Sequence, residues 1–123
     1  MKSEIRTQSA PAPVGPYSQG VDAGAVYCSG QIGMDPATGK LAEGIVAQTS
    51  RALSNLEGVL AAAGLSMADV VKTTVFVADM AEYQAMNEEY AKHFKAPFPA
   101  RTTVQAAALP RGARVEIDAV AVR

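Results

Sequence analysis

From Ile45 to Ala63 apolar side chains recur every three or four residues: Ile45, Ala52 with Leu53, Leu56, Val59 with Leu60, and Ala63, with Thr49 on the same stripe. That period places them on one face of a helix, and Gly64 stands where a C-cap glycine ends one. Residues 70–78 instead form a dense β-branched run, Val-Val-Lys-Thr-Thr-Val-Phe-Val-Ala, which predicts a central strand. Asp79 follows as an N-cap with Glu82 three residues on, a variant of the capping box. Tyr83, Met86, Tyr90 and Phe94 then mark one face of a second helix, closed by Pro97.

The flanking segments read differently. Residues 1–20 hold Pro11, Pro13 and Pro16 together with Gly15 and Gly20. Proline cannot donate to a strand ladder, so this stretch predicts an extended arm leading into a strand. Residues 25–32 predict a strand, paired as a hairpin with 17–22 across Asp22–Gly24, and a turn-rich loop runs from Gly33 to Gly39. Two more strands, 101–107 and 114–122, lie either side of the Leu109-Pro-Arg-Gly112 turn. The predicted order is β-β-β-α-β-α-β-β. This is an α+β fold, a single domain over residues 1–123, with both helices on one face of a mixed sheet.

The last two strands carry the candidate chemistry. Period-two geometry puts Arg101 and Thr103 on one face of their strand. In the final strand Val115, Ile117, Ala119 and Ala121 make an apolar face for the helices, and Arg114, Glu116 and Asp118 occupy the other. With helices on one side, this pattern assigns Arg101 and Glu116 together to the opposite side. Two readings stay open from the residues alone. They form a structural or surface ion pair, or they serve a small carboxylated substrate, the guanidinium gripping its carboxylate through two parallel hydrogen bonds while the acid serves the reacting carbon.

Composition narrows the classes. About half of the 123 residues are apolar, yet much of that is Ala and Val, with three Phe, four Tyr and no Trp. Small side chains bury little area each, so a homo-oligomer would supply burial that the monomer lacks. Eleven basic and twelve acidic residues give a net charge of −1, without the basic stripe that nucleic-acid binding requires or a polybasic run for membranes. Cys28 is the only cysteine and His93 the only histidine, which leaves no zinc spacing, no internal disulfide and no histidine-based triad. Cys28 reads as a small buried hydrophobe, His93 as a solvated helix-flank residue, and the Tyr83/Met86/Tyr90/Phe94 stripe as core. The Gly33–Lys40 segment lacks both the spacing and the Ser or Thr of a phosphate loop. No signal-peptide layout or membrane-length apolar stretch is present, so a cytoplasmic protein is expected.

Six blocks in order now matter together: Ala12-Pro-Val-Gly-Pro-Tyr-Ser-Gln19, Ser29-Gly30-Gln31, Asp35-Pro-Ala-Thr-Gly39, Val71-Lys-Thr-Thr-Val-Phe-Val77, Phe98-Pro-Ala-Arg-Thr102 and Val115-Glu-Ile-Asp-Ala119. Through them the chain resembles the Rid/YjgF (reactive-intermediate deaminase) family over essentially its full length. The resemblance implies a chorismate-mutase-like fold and a homotrimer in which three sheets line a central barrel, with active clefts between subunits. It also implies cofactor-free, metal-free hydrolysis of 2-imino acids and their enamine tautomers, such as 2-iminobutanoate and 2-iminopropanoate, to 2-oxo acids and ammonia. By that resemblance Arg101 is the carboxylate clamp and Glu116 the acid that positions or activates water. Tyr17 and Asn87 line the cleft, and Gly30 lets backbone approach the substrate. Thr103 replaces a cysteine common in the family; because that position serves through its backbone and steric edge, activity is expected to survive. Two alternatives share these residues: a deaminase of another enamine, of the aminoacrylate or aminomuconate type, and a non-enzymatic 2-oxo-acid-binding or chaperone-like trimer. A ribonuclease role, sometimes attributed to relatives, fits poorly with a near-neutral chain holding one histidine.

Overall fold

The alternation along the last strand sorts the molecule into two sides. In the computed structural model, which describes residues 1–123, Val115, Ile117, Ala119 and Ala121 are all buried, at 2% exposure or less. They lie beneath two helices, α1 (Gly44–Ala62) and α2 (Tyr83–Ala91). The strands are β1 (Ser3–Ile5), β2 (Gly20–Ala23), β3 (Ala25–Ile32), β4 (Val70–Val77), β5 (Ala100–Gln105) and β6 (Val115–Ala121). They form one six-stranded sheet in the order β1-β2-β3-β6-β4-β5. Only β4 and β5 pair in parallel, with α2 as the crossover between them. The element order agrees with the hydrophobic pattern, and the sheet is mixed as expected.

The α1 stripe is buried as its period predicts, with Leu53, Leu56 and Leu60 fully enclosed. Each such leucine contributes about 1.5–3 kcal/mol by leaving water. The helix ends in the expected glycine cap. Gly64 takes φ +76°, its N–H bonds Ala61 O at 3.0 Å, and the Leu65 N–H reaches back to Leu60 O at 2.9 Å. Two polar residues share the buried face. Gln48 accepts from the Arg114 N–H at 2.8 Å and donates to Ala42 O at 3.0 Å. Asn55 donates to Ile32 O and Met34 O. Both tie α1 to strand ends beside the cavity described below.

Three local expectations are corrected. Asp79 does cap, accepting from the Ala81 N–H at 2.9 Å, but it caps a single 3₁₀ turn, Met80–Glu82, before α2 begins. Glu82 does not complete a capping box, because its carboxylate pairs with Arg114 at 2.7 Å instead. The second helix ends at Ala91, before Pro97, and Phe94 is buried from the segment that follows. β2 starts at Gly20 rather than residue 17, which leaves Tyr17 on a loop.

Much of that loop is gathered by one side chain. Gln19 is 3% exposed; it accepts from the Thr7 N–H at 2.8 Å and its amide donates to the carbonyls of Thr7, Ala10 and Pro11 at 2.9–3.1 Å. The arm enters the sheet at β1; its proline-bearing part, residues 11–16, stays out of the ladder and is folded back against the sheet. Replacing Gln19 by Leu should strand these backbone groups and cost about 2–3 kcal/mol of stability, read from urea unfolding. Limited proteolysis should then cut between residues 7 and 16 while the rest of the chain stays intact. An unchanged unfolding midpoint would refute this role for Gln19.

Candidate functional site

The first half of the site is built by an irregularity in β3. Cys28 registers with Ala119 of β6 and Gln31 with Ile117, so Ser29 and Gly30 together oppose Asp118 alone. This is a bulge, the device that re-aims a strand's side chains. It sets the Gly30 backbone against Glu116: a Cβ at residue 30 would collide with the Glu116 carboxylate. A side chain here would have to push the carboxylate out of its present position. The Ser29 hydroxyl donates to Ser18 O at 2.5 Å, which draws the Tyr17 loop to the bulge. The Tyr17 hydroxyl accepts from the Val14 N–H at 3.3 Å, so its own proton is free.

Tyr17, Gly30 and Glu116 border one cavity of about 440 Å³, whose apolar wall includes Val14, Ile32 and Met34. Burial, and then the neighbouring charge of Asp118, raise the Glu116 carboxyl above the usual carboxylate range. Asp118 itself accepts from the Thr74 N–H at 3.1 Å. Arg111 closes the rim from the 3₁₀ turn Pro110–Gly112, in left-handed backbone at φ +58°. Sequence reading passed over Arg111, since only its backbone angle sets it apart.

The second half lies elsewhere. Arg101 on β5 registers with Thr73 of β4 and Thr103 with Val75, and both β4 partners are fully buried on the helix side. The Arg101 Nη2 donates to Asn87 Oδ1 at 2.7 Å and to the Tyr83 hydroxyl at 3.1 Å, both on α2. Its guanidinium carbon sits 4.8 Å from the Tyr90 ring centroid and 5.7 Å from that of Tyr83. Such contacts are worth about 0.5–2 kcal/mol each, according to solvation. Nη2 is thus spent on α2, and Nε–H and Nη1 remain for a ligand. A fork of two parallel bonds that uses Nη2 would first have to displace Asn87 or Tyr83.

Alternation predicts Arg101 and Glu116 on one face; the structure puts them on opposite faces of the sheet. Glu116 registers with Ile32 and Phe76 and points away from the helices, whereas Arg101 points toward α2. The reason is the parallel β4–β5 pairing. A crossover sets the register of β5, and a one-residue slip, invisible in the sequence of β5, exchanges its faces. Arg101 and Thr103 do share a face, as expected. Thr103 Oγ1 is buried without a hydrogen-bond partner. Tyr90 belongs to the core and Tyr83 packs against it, as read from sequence, and both also contact the candidate clamp; their helical spacing from Asn87, at i−4 and i+3, is the signal that could have linked them.

Comparison with known proteins gives these two clusters a context. A family model described as endoribonuclease L-PSP matches residues 7–123. The 2-iminobutanoate/2-iminopropanoate deaminase of Salmonella typhimurium is 47% identical, over 100% of this chain and 99% of its own. The chain belongs to the Rid/YjgF family. A human relative of the same name is 50% identical over 97% of this chain and 88% of its own. The crystal structure of RidA from an Antarctic Psychrobacter superposes with a TM-score of 0.96 at 43% identity, covering 98% of this chain and 99% of that one. The family fold is therefore the α+β arrangement described above, with two helices on a six-stranded mixed sheet. No helix is long and apolar enough to cross a membrane, and no group of three or more His, Cys, Asp or Glu side chains could hold a metal ion.

Cys28 sits beside the bulge and is 5% exposed. Burial first, and the Asp118 charge second, push its thiol up to about 11. At pH 8 the thiol should stay protonated and react with an aromatic disulfide reagent at least ~10²-fold more slowly in the native protein than in urea. Rapid native labelling would place Cys28 in an open environment instead.

Proposed function

We propose that this protein hydrolyses 2-imino acids and their enamine tautomers, 2-iminobutanoate and 2-iminopropanoate among them, to 2-oxo acids and ammonia, without cofactor or metal. It does so as a homotrimer, with each site assembled between adjacent copies. The observation that carries this is the division of the site. One chain presents Tyr17, Gly30 and Glu116 around a cavity on one side of its sheet, and Arg101 with Asn87 on the other. The helix-free face is also uncovered and partly apolar: Tyr27, Val104 and Val122 are 52%, 42% and 42% exposed there. Packing that face against a second copy buries apolar area, and an assembly that sets the edge strand β5 of one chain beside the cavity of the next would bring its Arg101 to that Glu116. A cytoplasmic setting fits a chain whose lone cysteine is buried and unpaired.

The chemistry follows from the groups. Arg101 holds the substrate carboxylate through Nε–H and Nη1, which sets the imine carbon near Glu116 of the adjacent copy. Glu116 in its carboxylate form accepts a proton from water as the oxygen bonds to that carbon, and the C=N electron pair moves to nitrogen, which takes a proton from solvent; the hydroxyl proton released at the end returns that proton to solvent. Glu116 then returns its proton to the nitrogen of the tetrahedral carbinolamine. The C–N bond breaks, ammonia leaves, and loss of the hydroxyl proton leaves the 2-oxo acid. A carboxyl raised above its usual range is a better base than an ordinary glutamate and gives the proton up again readily near neutrality. Positioning supplies much of the acceleration, because the imine also hydrolyses unaided. Ribonuclease chemistry has no histidine at this site: His93 is paired with Glu89 at 3.0 Å and does not line the cavity around Glu116.

In a coupled assay, an amino-acid oxidase generates the imine and semicarbazide competes for it. Wild type should outrun the trap, and Arg101→Ala and Glu116→Gln should each fail to. Mixed and reassembled one to one, the two inactive variants should recover about a quarter of wild-type activity, since random assembly pairs an intact Arg101 with an intact Glu116 at that frequency. No recovery in reassembled mixed trimers would refute the shared site; an inactive wild type would refute the reaction.

The acid limb of kcat/KM tests the state of Glu116. Activity requires the carboxylate and is lost as pH falls through its raised pKa. Asp118→Asn removes one of the causes that raise it, so the limb should move to lower pH. Burial, the larger cause, remains, so the move should be partial. A limb that stays in place would assign the titration to another group.

A further inference from the structure

Thr73 and Tyr90 close a loop of contacts around Arg101. Thr73 is the direct register partner of Arg101 across the β4–β5 ladder. Its Oγ1 hydrogen-bonds the Tyr90 hydroxyl at 2.8 Å, and the Tyr90 ring carries the guanidinium, 4.8 Å from centroid to carbon. Thr73 is 0% exposed and Tyr90 6%, so both lie beneath the site. Tyr90 also packs on Phe94, with ring centroids 4.7 Å apart, which further restricts the ring.

A buried phenol hydroxyl needs a partner, and Thr73 provides it at the one place that also fixes the ring relative to the Arg101 backbone. Core packing alone would be met equally by valine and phenylalanine. What the hydroxyl pair adds is orientation. The ring plane is set from β4, the guanidinium stacks on that plane, and Asn87 with Tyr83 take its Nη2.

We propose that Thr73 and Tyr90 are positioning residues for the carboxylate clamp: their buried hydrogen bond fixes the ring that carries Arg101, so that Nε–H and Nη1 face the substrate. This rests on reading Arg101 as the clamp. The residues act through Arg101 and touch no ligand. Removing the pair should therefore weaken substrate and product binding alike and leave the chemical step alone.

The test is the double variant Thr73→Val/Tyr90→Phe, in which an apolar pair of nearly the same shape leaves no hydroxyl unpartnered and stability nearly unchanged. Its KM for 2-iminobutanoate, and the Kd of 2-oxobutanoate by calorimetry, should rise by about fivefold to twentyfold with kcat within about twofold of wild type. In an Arg101→Lys background, which keeps the charge and loses the planar stack, the same pair of changes should alter the Kd by less than about twofold. An unchanged Kd in the wild-type background overturns the proposal. So does an equal loss in both backgrounds, since that would be a general structural effect. If wild type fails to turn over the imine yet binds 2-oxobutanoate, the deaminase reading falls, and the Kd comparison still decides the role of Thr73 and Tyr90. Absence of 2-oxobutanoate binding to wild type overturns the clamp and its positioning together.

Discussion

Both helices pack on one face of the sheet, and the strict alternation of the strands carries that choice to every other side chain. Val115, Ile117, Ala119 and Ala121 take the helix side, so Glu116 and Asp118 have to take the other. The same rule, applied through Thr73 and Val75, turns Arg101 and Thr103 toward α2. A sheet offers only two directions. Once the apolar set is buried, the positions of the charged groups are no longer free.

Separation within one chain keeps the two groups from pairing with each other there. A cation within a few ångströms of Glu116 would pull its pKa down and quench its basicity. With Arg101 on the opposite face, burial and Asp118 prevail and the pKa rises. Arg101, for its part, is held by neutral oxygens and aromatic faces, and no carboxylate occupies it. Its charge stays available to an incoming anion. In the proposed assembly the two meet only between copies, with the substrate carboxylate interposed.

The remaining framework serves these positions. The β3 bulge and Gly30 make room for the Glu116 carboxylate. Gln19 gathers three carbonyls of the arm and so sets the loop that ends in Tyr17. Gln48 and Asn55, polar side chains on an otherwise apolar helix face, fasten α1 to the start of β6 and the end of β3. Each replaces an alternative hydrophobic contact with a directed one. They hold the rim of the cavity where packing alone would fix only its volume.

The order of strands and helices, the buried stripe of α1, the glycine cap at Gly64 and the apolar face of β6 were all written in local periodicity, which depends on residues a few positions apart and needs no partner. The six family blocks likewise named Tyr17, Gly30, Arg101 and Glu116 from their immediate neighbours along the chain. Tertiary structure alone decided which face Arg101 takes, because the register of β5 comes from a parallel crossover rather than from its own sequence. It alone placed the bulge at Ser29–Gly30, turned Glu82 from its helix to Arg114, and set the guanidinium against Tyr83 and Tyr90 of the core stripe. These are contacts between residues 11 to 32 positions apart or choices between two equivalent faces, and neither leaves a periodic trace.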